Sequence, residues 1–164
     1  MTEEKHVLSI LVENQPGVLS RISGLFGGRG YNIDSLCVAE TTEPNVSRVT
    51  IVTTGSKQII EQIIKQLHKL INVIKVIELT GTEFVQREMA LIKVNAKPEH
   101  RAEILRMVDI FRCKIIDVGL EHYTIEITGD EDKLSAILSL LKPLGIKEIA
   151  KTGFIALSRE PKVV

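Results

Sequence analysis

The stretch Glu13-Asn14-Gln15-Pro16-Gly17-Val18-Leu19 carries the most suggestive chemistry in the chain. A short apolar run precedes it, and apolar residues at helical spacing follow it. Free N–H groups at a helix start attract a carboxylate. Gly17 lets backbone approach a ligand closely, and Asn14 offers both a donor and an acceptor. Val18, Leu19 and Ile33 supply apolar wall material. The set suits a small amino acid: carboxylate to the backbone, amine to Asn14, aliphatic side chain to the wall. The same residues also make an ordinary tight turn between strand and helix, and chemistry alone does not separate the two readings.

Other constellations are weaker. The four histidines, His6, His68, His100 and His122, share no metal-ligand spacing. No nucleophile elbow, phosphate loop or zinc-protease pair occurs. We therefore expect no catalytic residue and no metal site. The glycine run Gly24 to Gly30 follows a helical pattern and precedes a strand, the reverse of a dinucleotide fingerprint. Helix termination explains Gly27, Gly28 and Gly30.

Positioning that loop requires a strand before it and a helix after it, and the sequence provides both twice. His6–Val12 reads as a buried strand. Val18, Leu19, Ile22, Leu25 and Phe26 form one helical stripe. Strands are expected over Tyr31–Thr41 and Ser47–Thr54, a helix through Ile59–Leu70, and a strand over Asn72–Leu79. The order is βαββαβ, the ferredoxin-like pattern. Glu88–Ala96, a helix after Pro98, a hairpin over Lys114–Thr128, a helix ended by Pro143 and Gly145, and a last strand region over Ile146–Ser158 repeat it. Val49–Gly55 also matches Tyr123–Gly129 in residue type at a shift of 74. The expected fold class is α+β, with two tandem ferredoxin-like units over 1–81 and 82–164. The strands carry apolar side chains on both faces, so something must cover the face away from the helices. The other half or another copy would serve, and a dimer is the simplest oligomer.

The 164 residues carry 21 Lys+Arg and 21 Asp+Glu, and the halves on either side of Gly81 are each neutral. Neither half is a basic nucleic-acid module. Only six residues are aromatic, and the strands that would stack RNA bases hold none. Cys37 and Cys113 lack paired spacing, which suggests a reducing compartment. No apolar run reaches the roughly 18 residues that span a bilayer. A cytoplasmic protein with no nucleic-acid or membrane partner is expected.

Glu13 through Arg21 resembles the opening signature of ACT domains, the ligand-binding modules of amino-acid metabolism. Gly24-Leu25-Phe26 and Arg29-Gly30-Tyr31-Asn32-Ile33-Asp34-Ser35-Leu36 are narrower. They resemble the regulatory (small) subunit family of acetohydroxyacid synthase, also called acetolactate synthase. Ser47–Ile51, Gln86-Arg87-Glu88, Ile115–Val118, Tyr123–Glu126 and Gly145–Glu148 continue the likeness over the whole chain. The resemblance implies that the first unit is an ACT domain and the second a subunit-interaction domain. It implies a homodimer of a non-catalytic chain whose partner is a catalytic large subunit carrying thiamine diphosphate, magnesium and FAD. That enzyme joins two 2-oxo acids in branched-chain amino-acid biosynthesis, and this chain would activate it and confer feedback inhibition by valine. The implied valine site is Asn14, Gln15, Pro16, Gly17, Val18 and Leu19, with Asn32 and Ile33 from the neighbouring chain. A free-standing ACT sensor acting on another enzyme or a transcription factor is the alternative, and a small enzyme on a ferredoxin-like scaffold is another.

Overall fold

The computed structural model describes residues 3–160. It divides into two compact units: the described residues up to Val85 together with those from Phe154, and Gln86–Gly153. The sequence division at 81 and 82 differs from this grouping at the second unit's two ends.

The first unit runs β1 (Glu4–Glu13), α1 (Val18–Gly28), β2 (Ser35–Glu40), β3 (Val46–Gly55), α2 (Lys57–Leu67) and β4 (Val73–Glu78). Its antiparallel sheet has the order β2-β3-β1-β4, which is the expected βαββαβ arrangement. Leu8, Ile10 and Val12 of β1 and Val49 and Ile51 of β3 meet Ile22 and Phe26 of α1 and Ile60, Ile63 and Leu67 of α2. Alternation along the strands and helical spacing along the helices make this single core.

The opposite face is also apolar, as expected. Val7, Val52 and Leu79 cluster there with Ala156, against Phe84 and Phe154. The covering residues come from the expected second domain. The strand region expected over Ile146–Ser158 is in fact two strands, β8 (Ile146–Lys151) and β9 (Ile155–Ser158). Gly153, with φ 82, turns the chain between them, and β9 belongs to the first unit. Its exit is pinned where Arg159 N–H donates to Glu83 O at 2.9 Å.

The second unit contains β5 (Phe84–Asn95, its first two residues grouping with the first unit), α3 (Arg101–Ile110), β6 (Lys114–Val118), β7 (His122–Gly129), α4 (Glu131–Leu141) and β8. The order β6-β7-β5-β8 repeats the first sheet. The shift of 74 is structural as well as textual. Gly55 and Gly129 end equivalent strands, and Ser56 and Asp130 cap the helices that follow. A Cβ at Gly55 would lie 3.3 Å from Ile59, and one at Gly129 would lie 2.6 Å from Lys133. Both glycines let a strand turn tightly into the first turn of a helix.

Two local expectations change. Gly27 and Gly28 lie inside α1, and the chain turns at Gly30, with φ 73. Residues 31–34 are not strand. Backbone and side chains both hold them: Asp34 N–H donates to Val52 O at 2.8 Å, Thr53 Oγ1 donates to Asn32 O at 2.6 Å, and Thr54 Oγ1 donates to Asp34 Oδ2 at 2.7 Å.

Candidate functional site

The loop between β1 and α1 is built as the sequence suggested, with a stricter reason for its glycine. Gly17 sits at the N-cap of α1 with φ 85 and ψ −7, a left-handed conformation that side chains resist. Nothing lies within 4 Å of where its Cβ would be, so the glycine is required by its backbone conformation and not by crowding.

That helix start has no side-chain cap and no acid in its first turn. Val18 N–H donates to Gln15 O at 3.3 Å, and Arg21 N–H to Gly17 O at 3.0 Å. Among the described residues no acceptor stands against the N–H groups of Gly17, Leu19 and Ser20. By contrast, Ser56 accepts from Ile59 N at the start of α2, and Asp130 from Lys133 N at the start of α4. Unpartnered N–H groups at a helix N-terminus, with the helix dipole behind them, form a positive locus for an anion.

Several residues fix the loop. Asn14 N–H donates to Asn45 O at 2.7 Å, and Glu13 N–H donates to Asn72 O at 2.8 Å. Asn72 Nδ2 donates to Glu13 Oε2 at 2.8 Å, and Arg21 donates to Asn72 Oδ1 at 2.6 Å. Asn14 Nδ2 donates to Glu40 Oε1, at the end of β2, at 2.6 Å. Glu40, Asn45 and Asn72 were not singled out in the sequence. They lie 26 or more residues from Asn14, and only strand register brings them to the loop.

The apolar candidates divide. Val18 is buried in the core of its own unit, so its side chain is spent on packing. Leu19 is 41% exposed beside the loop. Ile33 is half-buried against the same core. Gln15 and Pro16 are exposed.

Asn32 and Ile33 do not reach the loop within one chain. Asn32 is tied to Thr53, which pairs with His6, whereas the loop follows Glu13, which pairs with Val46. The seven residue steps from His6 to Glu13 separate them by about 24 Å at roughly 3.4 Å per residue. The Asn32 side chain donates to Asp34 at 2.7 Å.

The equivalent turn of the second unit is different in kind. His100 occupies the N-cap of α3, and Glu103 stands in the first turn. A carboxylate there opposes an anionic ligand. A cavity of about 300 Å³ beside this turn is lined by Lys97, Pro98 and Leu120, among others. Among the described residues no three His, Cys, Asp or Glu side chains gather as for a metal ion. Burial pushes the Cys113 thiol above its ordinary range, which keeps it protonated and weakly nucleophilic.

Residues 8–75 match the family model for the AHAS small subunit-like ACT domain, and residues 87–160 match the model for the small subunit of acetolactate synthase. The chain belongs to the acetolactate synthase small-subunit family. A probable acetolactate synthase small subunit of Archaeoglobus fulgidus is 51% identical over 96% of this chain and 99% of its own length. The acetolactate synthase small subunit of Aquifex aeolicus is 51% identical over 97% of this chain and 83% of its own. The crystal structure of the small subunit from Thermotoga maritima superposes with a TM-score of 0.88 at 44% identity, over 96% of this chain and 99% of that one. The small-subunit reading confirms the ACT unit and the tandem ferredoxin-like fold. The relatives it matches over nearly its whole length are small subunits of acetolactate synthase.

Proposed function

We propose that this regulatory subunit raises the activity of its catalytic large subunit and makes it sensitive to inhibition by valine bound at the Asn14–Leu19 loop. The uncapped start of α1 carries the reading: three N–H groups lack an acceptor among the described residues, beside a left-handed glycine whose Cβ position is clear. A carboxylate fits those donors, an ammonium fits Asn14, and an aliphatic side chain fits Leu19.

The site is shared between two copies on this reading. β2 is an edge strand whose start lies opposite Val52 and whose end, Glu40, lies opposite Ser47. It contains no lysine, arginine or proline to guard that edge. If two β2 edges pair antiparallel, the start of one lies beside the end of the other. The partner's segment preceding Ser35 then arrives next to Glu40 and Asn14. Asn32 and Ile33 of the neighbouring copy would thus complete the wall that Val18 does not provide.

Valine bridging two first units would stabilise one arrangement of the dimer, and that arrangement would activate the large subunit less. Couplings of this kind are about 1–3 kcal/mol. Thiamine diphosphate, magnesium and FAD belong to the large subunit on this reading. The glycine run of this chain closes α1 and turns at Gly30 rather than opening a helix toward a phosphate.

The test is a pull-down of the purified large subunit on the immobilised full chain, with and without valine. Retention in both conditions supports a constitutive regulatory partner. No retention in either condition refutes the reading.

A further inference from the structure

We infer that Glu40 is a positioning and specificity residue: it fixes the Asn14 amide so that the site accepts an ammonium-bearing ligand and rejects the corresponding 2-oxo acid. The inference rests on the amino-acid reading of the Asn14–Leu19 loop and deepens it.

A carboxamide has one donating end and one accepting end. Asn14 Nδ2 donates to Glu40 Oε1 at 2.6 Å. The reverse orientation would set the amide oxygen against an ionised carboxylate with no proton between them. Chemistry therefore dictates the orientation. With its donor end held, Asn14 presents Oδ1 away from Glu40. An oxygen in that role receives N–H groups and repels other oxygens.

Charge reinforces the choice. Glu40 places a negative charge directly behind the Asn14 amide. The other acid at the loop, Glu13, is engaged by Asn72, which Arg21 holds in turn. Arg48, the cation opposite Ala39 on β3, donates to Ser9. The loop thus has a positive end, the N–H groups of Gly17, Leu19 and Ser20, and a negative end at Asn14 and Glu40. Opposite poles suit a zwitterion. A 2-oxo acid of the same carbon skeleton offers the first pole its carboxylate but offers the second a carbonyl oxygen, which finds only acceptors there. A site that answers to an end-product amino acid among 2-oxo acids needs this discrimination.

The experiment titrates the full chain calorimetrically with L-valine and with 3-methyl-2-oxobutanoate. It uses the wild type, Glu40→Ala, Glu40→Gln and Glu40→Asp, with thermal melting to confirm folding. Glu40 is solvent-exposed, so the variants keep the core. Glu40→Ala is expected to weaken valine about tenfold, in line with the loss of one charge-assisted interaction, while the 2-oxo acid binds no worse. The valine preference then falls by the same factor. Glu40→Asp restores part of the preference, and Glu40→Gln falls between. Equal weakening of both ligands, or unchanged valine binding, overturns the inference and makes Glu40 structural only. If wild type binds no valine, the amino-acid reading and this inference fall together; if it binds valine and the preference survives Glu40→Ala, the inference alone falls.

Discussion

Gly17→Asp separates folding from ligand binding because Gly17 sets a left-handed backbone turn and, on the proposed reading, also borders the ligand. The backbone there is left-handed, at φ 85. A non-glycine residue in that region costs about 1–2 kcal/mol, with Asp and Asn at the lower end. A carboxylate beside the unpartnered N–H groups returns about 0.3–1 kcal/mol through the helix dipole. The net loss is about 1 kcal/mol, or roughly 4–8 °C in the melting temperature of a unit this size. Space is not a constraint, since nothing lies within 4 Å of the new Cβ. Binding suffers more. The new carboxylate stands where a ligand carboxylate would, and the lost charge-assisted hydrogen bonds are worth about 1.5–3 kcal/mol. That is roughly ten- to over a hundredfold in the dissociation constant of valine. Calorimetry on the full chain measures it, and activation of the large subunit in the same preparation reports the retained fold. Gly17→Asn, which tolerates the same backbone without the charge, should fall between. Wild-type valine affinity in Gly17→Asp would refute the assignment of the loop.

Four further outcomes follow from the same geometry. Mixing Gly17→Asp subunits with Asn32→Ala/Ile33→Ala subunits should restore about one intact site per mixed dimer; mixtures that bind no better than either parent would show that the site is not shared. Ile63→Ala, at a fully buried position, should cost about 2–5 kcal/mol in denaturant unfolding; a loss below 1 kcal/mol would contradict the core assignment. The hydrogen bond from Lys93, 2.8 Å away, holds the Glu148 carboxyl below its ordinary 4.5. A lowered acid contributes stability that is present above its unfolded value and lost as pH falls through its folded value. NMR titration should therefore find Glu148 ionising below 4.5 in the wild type and reverting toward it in Lys93→Met, and an unshifted wild-type Glu148 would contradict the pair. Cys113, its thiol raised by burial, should alkylate more slowly at neutral pH than free cysteine; an equal rate would contradict that environment.

The elements and the core were legible because they rest on periodicity. Leu8, Ile10 and Val12 alternate, and Ile60, Ile63 and Leu67 recur at helical spacing, so both patterns name the same packed surface. The repeat was legible because Gly55 and Gly129 meet the same steric demand. The Gly17 loop was legible as turn chemistry, and the structure adds the left-handed backbone that requires glycine. What the sequence hid depends on long-range register. Glu40 is 26 residues from Asn14 and becomes its partner only because β2 runs beside β3 to that end of the sheet. The return of β9 to the first unit turns on Gly153, one glycine among the chain's 11 and unremarkable by type. Val18 looked like pocket wall because its type suits one, but its helical phase points it into the core.

The central claim is regulation of a partner through a small-molecule site on this chain. The most direct measurement is 2-oxo-acid condensation by the purified large subunit, alone and with saturating full chain, across a valine titration. The account predicts higher activity with the chain, loss of that activation as valine rises, and activation insensitive to valine when the chain carries Gly17→Asp. Activity unchanged by the chain, or inhibition by valine that is the same without it, would contradict the account.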